Sequence, residues 1–141
     1  SGNLFTLGYF QFPHAPYFVD ADGKELDSFE MDNVKDSRYY LGQVKYLNGK
    51  IIDMVDAIMK NDPQSIIIIQ SDHGFRQPLH LLRYGIETEN LEFEYRYMSS
   101  ILNGVYYEGE KLDIEGKSGV NTLRMVLNRL FKTDLQMIEE E

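Results

Sequence analysis

Ser65-Ile66-Ile67-Ile68-Ile69-Gln70-Ser71-Asp72-His73-Gly74 is the stretch on which the fold turns. Its β-branched run is too short for a helix of usual length. It also sets apolar groups on both alternating faces, as a strand covered on both sides requires. The run therefore predicts a central, parallel strand with helices on each face of the sheet. Ser71-Asp72-His73-Gly74 then falls at the strand end, the edge where open α/β sheets place their ligands.

Upstream, Tyr40, Val44, Leu47, Ile51, Val55 and Ile58 recur every three or four residues and predict a helix within 34–60, stopped by Asn61-Asp62-Pro63. Residues 4–10 mix apolar, aromatic and β-branched side chains and predict a strand that runs into a loop marked by Pro13 and Pro16. In that loop Asp20-Ala21-Asp22-Gly23 predicts a turn with Asp side chains on nearby backbone and Gly23 at positive φ. Downstream, 75–94 reads as loop with a helical turn, 96–107 as a strand and 108–111 as a turn. Ser118 is the cap of a last helix whose apolar stripe is Val120, Leu123, Leu127 and Leu130, with Phe131 beside it. The order strand, helix, strand, strand, helix predicts an α/β fold, a mostly parallel sheet with helices on both faces. Three strands make a thin sheet, so residues 1–141 read as one domain that belongs to a larger sheet, with edges open to self-association.

Composition narrows the function. The 141 residues carry 14 Lys plus Arg against 23 Asp plus Glu, a net charge of -9, which gives no basic footprint for nucleic acid. With 13% aromatic residues the chain is too rich in large rings for a disordered acidic segment. The longest apolar run, Ile66 to Ile69, is far from the roughly 20 residues of a membrane span. The absence of cysteine excludes disulfides, thiolate metal sites and a cysteine nucleophile.

The residues that can carry chemistry are few. Asp72 and His73 offer a carboxylate oxygen and an imidazole nitrogen, a pair suited to Zn²⁺ or Mn²⁺, the oxygen also to Mg²⁺. Neighbours on a regular strand point to opposite faces, so the pair can share one ion only where the chain has left strand geometry, a turn that Gly74 eases. The plainer alternative is that Asp72 caps a turn and His73 is a satisfied polar residue. His14 stands between Pro13 and Pro16, which restrict its backbone; it can donate to an anionic substrate or protonate a leaving oxygen, or merely pack on Tyr17. Arg76 can approach an anionic group or form a surface ion pair. His80 reads as a loop residue, and Asn121, Thr122 and Arg124 as structural. The Asp20, Asp22, Gly23 cluster lacks the ligand series of a calcium loop.

Four blocks in order resemble a known family: Pro13-His14-Ala15-Pro16-Tyr17-Phe18-Val19-Asp20-Ala21-Asp22-Gly23, Tyr40-Leu41-Gly42-Gln43-Val44-Lys45-Tyr46-Leu47-Asn48, Ile67-Ile68-Ile69-Gln70-Ser71-Asp72-His73-Gly74, and Val120-Asn121-Thr122-Leu123-Arg124 with Asn128 and Phe131. Together they look like the C-terminal part of a sulfatase-like domain of the alkaline phosphatase superfamily, in the bacterial membrane-anchored branch. The resemblance implies a partial alkaline-phosphatase-like sandwich and metal-dependent hydrolysis or transfer at a sulfate or phosphate ester. It makes Asp72 and His73 ligands of a divalent ion (Mn, Mg, Zn or Ca), His14 a catalytic and substrate-contacting residue, and Arg76 a substrate contact. It also implies an anchor upstream and a place on the extracytoplasmic face of a bacterial membrane. Family members place an acidic ligand and a Ser, Thr or modified Cys nucleophile before the His-Pro region. Here Thr6 is the early hydroxyl and lies in a strand-like stretch, so the chain alone is expected to be inactive. The alternative is a noncatalytic interaction module that keeps the scaffold and meets a partner through its Tyr- and Phe-rich surface.

Overall fold

The computed structural model describes residues 4–28, 36–76, 96–108 and 110–140. It has two compact units, Ser1–Met54 and Val55–Glu141. The elements in order are α1 (Ser37–Asn61), β1 (Ile67–Gln70), β2 (Asn103–Tyr107), β3 (Glu110–Lys111) and α2 (Gly119–Phe131). Among the described residues, 96–99 are helical and precede β2.

The periodic helix is α1. Tyr40, Val44, Leu47, Ile51, Val55 and Ile58 are all half-buried, while Leu41 and Ile52 between them are exposed. At its end Asn61 Nδ2 donates to Ala57 O (2.7 Å) and Asp62 N to Ile58 O (2.8 Å). Asp62 then accepts from Gln64 N and Ser65 Oγ, turning the chain at Pro63 toward β1.

In the first unit the acidic turn forms as its residues dictate. Asp20 Oδ1 accepts from Asp22 N and Lys24 N, both at 2.9 Å, and Gly23 adopts φ +83°. Those bonds, Lys24 N first, hold the Asp20 carboxyl below its ordinary value. The carboxylate thus serves its own turn, which sets Val19 opposite Glu25.

The sheet corrects the expected fold. β1 pairs with β2 and β2 with β3, both antiparallel, so this is not a mostly parallel sandwich. The parallel reading required Ile66 to Ile69 to be buried on both faces, yet Ile67, Ile68 and Ile69 are only half-buried and Gln70 is exposed. Ile68 lies opposite Val105, Ile67 opposite Tyr106 and Gln70 opposite Asn103. One face thus collects Ile66 and Ile68 with Val105 and Tyr107, and these pack with Val126 of α2, Leu112 and Ile114 into the core. The Arg129 guanidinium lies 4.7 Å from the Tyr107 ring centre and covers the edge of that core.

Two further expectations change. Residues 4–10 are not a strand: no ladder partner meets them among the described residues, and Leu4, Phe5, Leu7 and Tyr9 are 82–90% exposed. A strand needs a neighbour for its N–H and C=O groups, and pattern alone supplies none. The strand expected over 96–107 forms only at Asn103–Tyr107, its first residues being the helical turn 96–99. The loop expected over 75–94 lies, apart from Phe75 and Arg76, outside the described residues.

Ser118 is the cap of α2, its Oγ accepting from Asn121 N (3.2 Å). The buried face is Asn121, Thr122 and Val126, however, and Val120, Leu123, Leu130 and Phe131 of the expected stripe are 43–64% exposed. Asn103 Nδ2 donates to Thr122 Oγ1 (2.8 Å) and to Lys117 O (3.1 Å), so the polar face is satisfied and packs at low cost.

The first turn of α2 contains no acid, and Glu140 supplies one from the tail. Its Oε1 accepts from Ser118 N (2.9 Å) and Asn121 Nδ2 (2.5 Å). The Ser118 main-chain bond, then the Asn121 amide, hold its carboxyl below the ordinary carboxylate value. Because the folded-state pKa is depressed, this contribution is present above the unfolded pKa, about 4.3, and is lost as pH falls through the depressed value. Glu140→Gln should therefore flatten the acid limb of urea stability measured from neutral pH to about pH 3; superimposable profiles would contradict the assignment.

Candidate metal centre

The site begins where β1 stops. Gln70 turns its amide to Asn103 Oδ1 (3.0 Å) and Gly119 O (3.1 Å), tying the strand end to β2 and to the start of α2. Ser71 closes the ladder: its N–H donates to Leu102 O (2.9 Å) and its Oγ accepts from Leu102 N (2.8 Å). Beyond Ser71 the chain has left strand geometry, the condition under which adjacent side chains can converge.

The other end of the turn is held by carbonyls of the 96–99 region. Gly74 N donates to Met98 O (2.8 Å) and Phe75 N to Tyr97 O (3.1 Å). A Cβ on Gly74 would lie 2.0 Å from Tyr97 O and 2.4 Å from Ser100 O. Glycine is required here for close backbone approach rather than for an unusual φ. Ser100 Oγ donates to Arg96 O (2.6 Å) and steadies the supporting turn. No local pattern announces this support, since 96–99 alternates like a strand.

Asp72 and His73 come together. His73 Nδ1 lies 2.6 Å from Gly74 O, and a carbonyl oxygen only accepts, so the contact is a hydrogen bond in the tautomer with the proton on Nδ1. In the neutral ring with that tautomer Nε2 holds the lone pair, as in metal-bound histidines whose other ring N–H donates to a carbonyl. Nε2 lies 3.8 Å from Asp72 Oδ1. Two donors about 2.1 Å from one tetrahedral ion are about 3.4 Å apart, so small side-chain rotations bring this pair to a shared ion. The His73 side chain is 23% exposed and that of Asp72 89%, which leaves the pair open to an incoming ion. Among the described residues no group of three or more His, Cys, Asp or Glu side chains is placed to hold a metal, so these two donors are a partial set.

His14 belongs to the first unit. Its N–H donates to Gln11 O (3.1 Å), its Nδ1 contacts Ala15 O, and its side chain is exposed. What fixes this loop is Gln43 of α1, fully buried: Gln43 Oε1 accepts from Phe18 N (2.6 Å) and Nε2 donates to Pro13 O (3.4 Å). Tyr17 is 5% exposed and meets Tyr40 edge to face at 6.4 Å. Burial pushes both phenols above their ordinary pKa, so neither supplies a phenolate at neutral pH. Gln43→Ala leaves Phe18 N and Pro13 O without their partner. It should cost about 2–4 kcal/mol, read from urea unfolding, with Gln43→Glu intermediate because it keeps an acceptor. No change in stability would remove Gln43 from this role.

The remaining candidates divide. Arg76 is exposed and forms no ion pair among the described residues. His80 lies outside the described residues. Asn121, Thr122 and Arg124 are structural: Asn121 and Arg124 bond to the tail and Thr122 to Asn103. A cleft of about 410 Å³ in the first unit is lined by Asp20, Lys24, Glu25, Arg38 and Tyr39. Its Arg38 is already held by Asp36, to which its Nε donates at 2.8 and 3.0 Å. Among the described residues no helix is long and apolar enough to cross a membrane. Compared with models of protein families, with curated proteins and with solved structures, the chain matches none.

Proposed function

We propose that this chain contributes Asp72 and His73 as ligands of a divalent cation in an enzyme that hydrolyses or transfers a sulfate or phosphate ester. The observation that carries the reading is the convergence of Asp72 Oδ1 and His73 Nε2 at 3.8 Å, with Nδ1 tied to Gly74 O on a turn that only glycine fits. The order of the four sequence blocks supports the ester chemistry. When bound, the cation would neutralise oxyanion charge on the sulfuryl or phosphoryl group.

The chain's own residues have separate tasks. Asp72 supplies a negative charge toward the cation, and His73 a neutral donor whose ring is oriented by Gly74 O. A chain of net charge -9 repels an anionic substrate, so a bound cation and fixed donors are needed to make a local positive site. In this reading Arg76 approaches the anionic group beside the cation, and the remaining metal ligands and the nucleophile come from outside the described residues. The reading places the enzyme on the extracytoplasmic face of a bacterial membrane.

Calorimetric titration of the chain with Mn²⁺ and with Zn²⁺ tests the assignment. Saturable binding is expected, lost in Asp72→Ala and in His73→Ala; equal affinity in all three proteins would end it. One observation favours a second reading, a noncatalytic interaction module. Leu4, Phe5, Leu7 and Tyr9 are exposed at 82–90%, a run of apolar surface suited to a partner. A chain that binds neither ion would leave that module as the better account.

A further inference from the structure

The exposed tail after α2 lies along the helix in an ordered way. Asn128 makes a two-bond pair with the main chain of Leu135, accepting from Leu135 N (2.7 Å) and donating to Leu135 O (2.9 Å). Asn121 repeats the pair with Ile138, accepting from Ile138 N (2.9 Å) and donating to Ile138 O (2.8 Å). Between them Arg124 Nη1 donates to Gln136 O. The carboxamide carries one acceptor and one donor edge, so it copies the main chain of a neighbouring strand.

The two spacings match. Asn121 and Asn128 are seven residues apart on a helix, about 10.5 Å at 1.5 Å per residue. Leu135 and Ile138 are three apart, a reach of about 9–10 Å for extended chain at 3.1–3.4 Å per residue. A polyproline-type repeat of three returns N–H and C=O to the same side, which is why the second pair falls at Ile138. Lys132 at φ 57° reverses the chain so that the segment runs back along α2. Leu135, Met137 and Ile138 remain 39–47% exposed, so the row's bonds to residues 135–138 are to main chain; beyond them the Glu140 side chain accepts from Ser118 N and Asn121 Nδ2.

We propose that the row Asn121, Arg124 and Asn128 is a binding site for extended peptide main chain, filled here by the chain's own residues 135–138 and indifferent to their side chains. Its ligand class is any extended segment that offers N–H and C=O together at positions three residues apart. This inference is independent of the metal reading.

Amide hydrogen exchange followed by NMR on the full chain tests it. The Leu135 and Ile138 amides should exchange at least ~10-fold more slowly than that of Met137, whose N–H the row does not use. The triple variant Leu135→Ala, Met137→Ala, Ile138→Ala should keep that protection at both positions. Ile138→Pro, which removes the N–H that Asn121 accepts, should lose it at Leu135 as well if the segment docks as a unit, whereas Met137→Pro should keep it at Leu135. Asn128→Ala should release Leu135, with protection at Val105 showing that the core remains folded. Fast exchange at Leu135 and Ile138 in the parent chain, or loss of protection in the triple alanine variant, would overturn the proposal.

Discussion

Gly74→Ala is expected to destabilise the second unit by about 3 kcal/mol and to displace the turn that carries Asp72 and His73, because the added Cβ meets backbone that cannot yield. Its nearest neighbours would be Tyr97 O at 2.0 Å and Ser100 O at 2.4 Å, both main-chain oxygens. Relief requires the 96–99 turn to move away, and that breaks the bonds from Gly74 N to Met98 O and from Phe75 N to Tyr97 O. Gly104→Ala in β2 is the control, since a Cβ there meets nothing within 4 Å. Replacing a strand glycine in open space should be neutral or gain up to about 1 kcal/mol. Urea unfolding of both variants separates the cases. Similar stability in the two would show that the turn is not built around Gly74.

The second large effect concerns metal affinity. Asp72→Ala and His73→Ala should each weaken Mn²⁺ or Zn²⁺ binding by at least ~10–100-fold, since that much is lost when only an outer-shell partner of a ligand is removed. The double variant should be no weaker than the worse single one, because a site that has lost one of two protein donors has little left to lose. Additive losses would mean that the two side chains bind separate ions. Gly74→Ala belongs to the same test: if the turn orients the pair, affinity falls although both ligands remain.

The helices could be read from the chain because their signals are local. The three- and four-residue spacing of α1 and the Ser118 cap of α2 need no distant partner. What failed depended on residues far along the chain. The isoleucine run reads as buried on both faces, hence parallel. Its partner is β2, which runs antiparallel and is joined to it at Ser71 and Leu102. Apolar spacing chose the wrong face of α2, because Asn121 and Thr122 are made compatible with burial by Ile138, Glu140 and Asn103. Residues 4–10 carry strand chemistry without a ladder.

The candidate site divides in the same way. Asp72 and His73 were visible because they are adjacent and the strand ends before them. The proton on Nδ1 and the glycine-only fit of Gly74 were not, since they depend on a carbonyl contact and on the 96–99 turn. Gln43 escaped notice because its partners, Phe18 and Pro13, are 25 and 30 residues away. Within α1 it reads as one more polar position.

The most direct test is a long-range ¹H–¹⁵N correlation spectrum of the histidine rings, recorded before and after addition of Zn²⁺. For His73 the protonated nitrogen should be Nδ1 in the neutral ring, and Zn²⁺ should shift Nε2 in the parent chain but not in Asp72→Ala. A His73 ring protonated at Nε2, or a spectrum that Zn²⁺ leaves unchanged, would contradict the metal centre.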